Sequence, residues 1–218
     1  MAESYIYNWQ NIDFKGVDLR GVNLSGYDLR GADFGGANLE EANFSEANLS
    51  RANFYGANMR RANLMGTDLR GANLGSTNCQ ESNLCKAILN LANVNQADFR
   101  RADLTDVDMK AVDASQATFD WADMEGVHAD RTDFRGAKLR DVNLNGANLI
   151  GAAMIEARLS KADLQGADLS GADLEKADLR NTNFKDAILR RCNVSKRALS
   201  QASIENTILP NGNIGNPL

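Results

Sequence analysis

Residues 166–180 read GADLSGADLEKADLR and repeat nearly the same five-residue word three times. A large apolar residue stands at every fifth position, a small residue stands two positions earlier, and an Asp lies between them. The pattern covers almost the whole chain of 218 residues: from Phe14 to Leu209, the forty residues whose numbers end in 4 or 9 include 22 Leu and all eight Phe. Forty words in register, without an insertion, predict one continuous repeat fold.

The period of five excludes both regular secondary structures as the repeating element. On an α-helix five residues advance by about 500°, so successive large residues would spread over every face. On a flat strand they would alternate between the two sides. A short extended segment that turns a corner after each word buries them all, and fourteen of the eighteen glycines stand two residues after the large residue, where a corner needs positive φ. The sequence therefore predicts a β-solenoid.

The words GADLS, GANLE, EANFS and RANFY resemble the pentapeptide repeat family over about residues 12–209. The resemblance implies an all-β fold, a right-handed quadrilateral β-helix of about ten coils with twenty residues in each, which makes a rod about 48 Å long. The arginine spacing agrees with coils of twenty, because arginines recur every forty residues at Arg20, Arg60, Arg100, Arg140 and Arg180.

The ends of a solenoid are open sheet edges and need caps. Tyr5, Tyr7 and Trp9 alternate like a strand and are expected to cover the first coil. Arg197 stands where a small inward residue is due, and both prolines lie beyond it in LPNGNIGNPL, where their missing amide donors discourage further pairing. We therefore expect an N-terminal cap at 1–11, a β-helix at 12–197, and a last partial coil with a C-terminal cap at 198–218.

Charge and composition limit the classes of partner. The net charge is −5, which argues against direct binding to nucleic acid or to an anionic membrane. The N-terminal MAESYIYNWQ has no signal-peptide pattern, and no apolar stretch is long enough to span a membrane. The three cysteines form no metal-binding or disulfide pattern, with Cys79 and Cys192 expected in the core and Cys85 near the surface. We expect a cytoplasmic protein without a cofactor or metal.

Few residues suggest catalysis. The single histidine, His128, stands at an outward position one coil after Asp108, so a contact between the two side chains is conceivable. Trp121, at a corner, is expected to be the one aromatic residue that touches solvent. In the coil around 109–130, the undersized centres Ala114 and Ala129 follow oversized partners, Val112 and Val127, which indicates either a compensated core or, as the minority interpretation, a ligand pocket.

Two surfaces are candidates for binding a protein partner. The arginine stripe comprises Arg60, Arg100 and Arg140, in a column where acidic or neutral residues separate the cations. The aliphatic face comprises apolar residues at outward positions, where polar ones are the rule. Its members are Ile88, Leu91, Ile150, Ile188 and Ile208. Each surface also has an explanation that involves no partner. The arginines would keep the coils in register and the surface soluble, and the aliphatic residues would be apolar side chains scattered over the surface.

Three functions follow as hypotheses. The first is a non-catalytic, rod-like scaffold that binds a protein partner, as a monomer or an end-to-end dimer. The second comes from the resemblance, since some family members mimic DNA, act on DNA gyrase and confer quinolone resistance, while many others come from cyanobacteria. A duplex 48 Å long carries roughly 28 negative charges, far more than this chain's net charge, which argues against mimicry. The third, an enzyme, lacks a supporting residue cluster.

Overall fold

The computed structural model of the chain describes residues 8–215. The backbone winds in coils of twenty residues, joined by parallel β-bridges that run from Asn8–Asp28 to Ile188–Ile208. Bridges recur at every fifth residue, so each coil has four bridge positions separated by turns. Every pairing is a single bridge without a longer strand, and the one helix in the described range is α1, Lys196–Leu199.

Each bridge is made by the word itself. The outward residue makes two backbone hydrogen bonds to one word of the previous coil. Asn53 donates its N–H to the carbonyl of Ala32 at 2.9 Å, and its carbonyl accepts the N–H of Phe34 at 2.7 Å. Small and large residues of a word therefore face inward together. The prediction that they form the core is confirmed, because almost all of them between 29 and 192 are buried.

The corners are turns in which only the second central residue has positive φ. The carbonyl of Leu29 accepts from the N–H of Ala32 at 3.0 Å, and Gly31 between them has φ +67°. This pattern is typical of a type II turn. Fourteen glycines occupy such corners as expected, but 24 other residues also do so with φ between +52° and +62°.

Columns of identical residues stack inside the coil. The rings of Phe34 and Phe54 lie parallel with centroids 4.9 Å apart, and those of Phe99 and Phe119 lie 5.1 Å apart, because each pair is separated by one coil. Threonine replaces alanine at several small positions without leaving its hydroxyl unpaired. Thr132, for example, donates to the carbonyl of Met109 at 2.6 Å.

The irregular coil around residues 109–130 has a filled core. Val112, Ala114, Val127 and Ala129 are all buried, at 1% exposure or less. The two larger side chains at small positions accompany the two smaller side chains at central positions, which conserves the volume of the layer. The arrangement favours the compensated core over a ligand pocket at these residues.

The C-terminal end departs from the repeat in two steps. Arg197 cannot enter the narrow inward position, and the chain forms α1 there, with Ser195 accepting the N–H of Ala198 at 3.1 Å as its N-cap. The helix takes the place of one word, and coil pairing resumes in register at Ser203 with Asn183. The helix spans the boundary at 197/198 that the sequence analysis places between the β-helix and the last partial coil.

A short antiparallel return then follows the last coil. Ile208 pairs with Ile214, the N–H of Leu209 donates to Asn213 at 2.8 Å, and the N–H of Gly215 donates to Thr207 at 2.7 Å. At the other end Trp9 packs edge-on against Tyr27, with ring centroids 5.1 Å apart. The proposed cap residues Tyr5, Tyr7 and Pro217 lie outside the described range.

Candidate interaction surface

The outward Asp and Asn side chains hold the corners. Most of them accept the backbone N–H of the residue two positions later, as Asp13 does from Lys15 at 2.9 Å. Asn also donates across coils, as Asn58 does to the side-chain oxygen of Asn38 at 3.0 Å. These residues therefore have structural roles, as the sequence predicts for slots of the repeat.

Most of the regularly spaced arginines are paired within their own word. Arg100 donates from Nε to Asp98 at 2.9 Å, and Arg180 does the same to Asp178 at 2.8 Å. The hydrogen bond from Arg180 lowers the pKa of the Asp178 carboxyl. Asp18–Arg20, Asp28–Arg30, Asp68–Arg70 and Asp133–Arg135 repeat the geometry. The D-x-R spacing is a usable sequence signal for these pairs, which the comparison of arginines along one column does not detect.

Two members of the arginine stripe do pair between coils. Arg60 lies 3.5 Å from Glu40 and donates to Glu81 at 2.9 Å, and Arg140 pairs with the buried Asp120. Hydrogen bonds from Arg61 and Arg60 lower the pKa of Glu81 to about 2. The stripe is thus a series of ion pairs rather than a row of free cations.

The residues of the aliphatic face lie at three separate levels of the rod. Ile88, at a bridge position, and Leu91, in the turn that follows it, are both exposed, Leu91 at 74%, while Ile150 is exposed three coils further on. Ile188 and Ile208 are half-buried, next to the C-terminal return. Asp108, His128, Asn148 and Asp168 occupy the bridge positions between Ile88 and Ile188.

The candidate reactive residues do not form a site. His128 bridges Asp108 through the backbone, but the Asp108 carboxylate is bonded to Asn90 at 2.9 Å and lies 3.4 Å from the Lys110 ammonium. Burial raises the pKa of the Cys192 thiol to about 12, and burial also raises that of Cys79. No group of three His, Cys, Asp or Glu side chains between residues 8 and 215 is arranged to hold a metal ion.

The structure brings together a corner that the sequence did not single out as a group. Trp121 is 50% exposed, and the guanidinium carbon of Arg101 lies 5.7 Å from its ring centroid. A shallow cleft of about 240 Å³ beside the ring is also lined by Arg100, Lys138 and Arg140. We call these five residues the Trp121 corner. The expectation that Trp121 is the one aromatic residue that touches solvent is wrong, because Tyr55 is 58% exposed.

Tyr55 is exposed for a local reason. It stands at a corner between the coils that carry Gly35 and Gly75, and a Cβ at Gly75 would lie 3.3 Å from the tyrosine ring. The absence of a side chain at that glycine leaves room for the ring to lie along the surface.

The backbone and core define a class of protein, the β-solenoids built from five-residue words. A family model described as pentapeptide repeats matches eight copies in this chain, and the chain therefore belongs to the pentapeptide repeat family. The matched segments are 8–36, 32–71, 62–106, 95–128, 117–154, 130–166 and 157–195.

The solved structures that are similar to this chain include HetL and QnrB1. HetL, a pentapeptide repeat protein involved in heterocyst differentiation regulation in the cyanobacterium Nostoc sp. strain PCC 7120, is 34% identical, with 96% of this chain and 93% of that chain covered and a TM-score of 0.51. QnrB1, a plasmid-mediated fluoroquinolone resistance protein, is 20% identical, with 86% and 89% covered and a TM-score of 0.72, a likeness of fold alone. No curated protein sequence matches. Among residues 8–215, no helix has the length and apolar character needed to cross a membrane.

Proposed function

We propose that this protein is a non-catalytic, rod-like scaffold that presents one or more surfaces to a protein partner. The observation that carries the proposal is the unbroken pairing of coils from Asn8 to Ile208 around a core of buried apolar side chains. Such a body offers long columns of fixed outward residues, and solenoids of other families bind partners through surfaces of this kind. We infer that the coil is right-handed and four-sided.

The ion pairs on the surface also support a binding role over catalysis. The carboxylates of Asp98, Asp120 and Glu81 are each engaged by arginine, and the Cys79 and Cys192 thiols have raised pKa values, so neither acid–base pairs nor activated nucleophiles converge on these groups. The three free cysteines suit the reducing conditions of the cytoplasm, where we place the protein.

Modulation of DNA gyrase is the second candidate, and the fold of QnrB1 favours it. The net charge of −5 and the cations of the arginine stripe oppose it, because a DNA mimic must match the dense negative charge of the duplex. A supercoiling assay with and without a quinolone separates the two functions. Scaffolding without gyrase binding predicts no effect, whereas inhibition or drug protection at micromolar concentration would make mimicry the working hypothesis.

The aliphatic face is tested through partner capture from extract of the source cells. Ile88→Ser combined with Leu91→Ser and Ile150→Ser is expected to abolish capture if these exposed residues form the contact. Met65→Ser is the matched control, since Met65 is 42% exposed at another corner of the rod. Capture that survives the triple change removes the aliphatic face from the proposal, and charge reversal of Arg60, Arg100 and Arg140 then tests the arginine stripe.

A further inference from the structure

Trp121 occupies a position that the repeat normally gives to small or polar residues. It stands at the positive-φ site of a turn, with φ +61°, where its large ring cannot point into the core. Half of its surface is exposed, and one face lies near the guanidinium of Arg101. An exposed indole held beside a cation provides apolar contact area at low conformational cost, the property that makes Trp frequent at binding hot spots.

The outward column beside Trp121 changes its chemistry over the same coils. Asp or Asn occupies this column at 18, 38, 58, 78 and 98, but Thr118, Lys138 and Arg158 occupy the next three positions before Asp178 restores the pattern. Lys138 and Arg158 are exposed. Lys138 and Arg158 have no side-chain acceptor for the amide two residues later. For the Lys138 word, Asp120 of the preceding coil accepts the Arg140 amide instead, at 2.9 Å.

The side chains that line the clefts beside Trp121 comprise four cations and three carboxylates, those of Asp98, Asp120 and Glu81. Arg100 and Arg140 are balanced by Asp98 and Asp120. In the part of the chain that the structure describes, Arg101, Lys138 and Arg158 have no carboxylate within ion-pair distance. Arg158 interacts electrostatically with Asp178, and Glu81 is held by Arg60 and Arg61, so Arg101 and Lys138 are the two cations beside the indole that no ion pair between described residues engages. These two cations attract an acidic partner without making the whole rod a polyanion binder.

Clefts lie on both sides of the indole. The cleft of about 240 Å³ runs toward Lys138 and Arg140, and a smaller one of about 100 Å³ runs toward Gln80, Glu81 and Arg101. Adjacent coils are about 4.8 Å apart, so the three coils from Arg101 to Lys138 span about 10 Å. This distance fits three or four residues of an extended peptide at about 3.3 Å each.

We propose that the Trp121 corner binds a short acidic segment of a partner protein. An apolar side chain of the segment packs on the exposed face of the indole, and its carboxylates lie against Arg101 and Lys138. Asp98 and Asp120 also line the larger cleft and repel negative charge, so the carboxylates of the segment lie against Arg101 and Lys138 and its apolar side chain lies on the indole. The inference rests on the proposed scaffold function and names the chemistry of its partner.

The test uses the full-length protein and a fluorescein-labelled octapeptide of Asp and Glu with one central Phe, followed by fluorescence anisotropy. We expect saturable binding that weakens with added salt. Lys138→Glu and, separately, Trp121→Ser should each weaken binding by about tenfold or more, the loss typical of a binding hot spot. Lys138→Glu changes an exposed side chain, so it keeps the test decisive even if Trp121→Ser perturbs folding.

Matched controls separate this corner from general attraction to basic residues. Arg131→Glu reverses an exposed cation at the same turn position of another corner, and Tyr55→Ser removes another exposed aromatic ring. Both should change affinity by less than about twofold. Equal loss in the controls, absence of saturable binding, or tighter binding of a single-stranded oligonucleotide of equal charge would each overturn the proposal. These outcomes are independent of the gyrase assay and of partner capture, which test the scaffold function itself.

Discussion

The buried carboxylate of Asp120 accepts a hydrogen bond of 2.9 Å from the backbone N–H of Arg140, twenty residues ahead in the next coil. In most words that amide is held by an Asp or Asn two residues earlier, as the amide of Arg100 is by Asp98 at 3.1 Å. Lys138 cannot accept a hydrogen bond, and a carboxylate from the neighbouring coil takes over the task. The same carboxylate also pairs with the Arg140 guanidinium.

Asp120→Ala is expected to lower the free energy of unfolding by about 1–3 kcal/mol, because it removes the acceptor of the corner amide and the partner of Arg140 together. Adding Lys138→Asn should recover part of the loss, since the amide oxygen of the new side chain would restore the usual acceptor. Urea denaturation of the wild type and of the single and double variants measures both effects. If the double variant is no more stable than Asp120→Ala, the carboxylate of Asp120 does not replace the missing acceptor at position 138 for the Arg140 amide.

Gly146→Ala should destabilise the protein by about 1 kcal/mol. Gly146 has φ +65°, and a Cβ there meets no atom within 4 Å, so the cost comes from backbone conformation alone. Ala111, at φ +52°, offers the reverse experiment, and Ala111→Gly should be neutral or stabilising. Chemical denaturation gives the two values, and loss of stability in Ala111→Gly would show that corner strain is not what these glycines relieve.

Gly215→Val should detach the C-terminal return from the last coil. A Cβ at Gly215 would lie 2.6 Å from the carbonyl oxygen of Ile204, which is backbone and cannot move aside as a side chain can. Hydrogen exchange should accelerate by at least about tenfold at the amides of Asn206 and Leu209, which the return protects. Ile214→Ala is the control, because it trims a side chain that is 65% exposed; unchanged exchange in Gly215→Val would mean that the end is held by other contacts.

Acid should weaken the fold partly through Glu81. Hydrogen bonds from Arg61 and Arg60 lower its pKa from the ordinary 4.5 to about 2 in the folded state. Its contribution to stability is therefore complete above pH 4.5 and lost as the pH falls through about 2. Melting temperatures of wild type and Glu81→Gln should differ slightly at pH 7 and converge between pH 4.5 and 2. Glu46→Gln is the control, because Glu46 forms no ion pair with the residues the structure describes. If wild type and Glu81→Gln still differ in melting temperature at pH 2, the effect comes from packing and not from the charge of Glu81.

The five-residue period was sufficient to predict the solenoid, its inward residues and its glycine corners. These features repeat forty times, so a single pattern of side-chain size determines them. The detailed surface was less accessible. Arg100 follows Asp98 and pairs within its own word, whereas Arg140 follows Lys138 and pairs with Asp120 of the previous coil. The five-residue period does not distinguish the two cases, although the residue two positions earlier does.

The Trp121 corner and the C-terminal return were missed for different reasons. The corner combines residues from three neighbouring columns. Trp121 was considered alone, Arg100 and Arg140 were considered within one column, and Arg101 and Lys138 were not considered, although coils of twenty residues place all five together. The antiparallel return lies beyond the last word, where no period exists and where Gly212 and Gly215 have unrelated backbone roles. One-turn helix formation at Lys196–Leu199 likewise follows from a single residue, Arg197, that does not fit the core.

Coil pairing over a constant separation of twenty residues also bears on how the chain folds. Each bridge closes a loop that is less than a tenth of the chain, so no step of assembly has to bring distant segments together. Two adjacent coils anywhere in the rod can serve as a nucleus, and further coils add to its open edges one at a time. A growing chain can therefore begin to fold while its remainder is still being synthesised, with α1 and the antiparallel return joining last and stopping the growth.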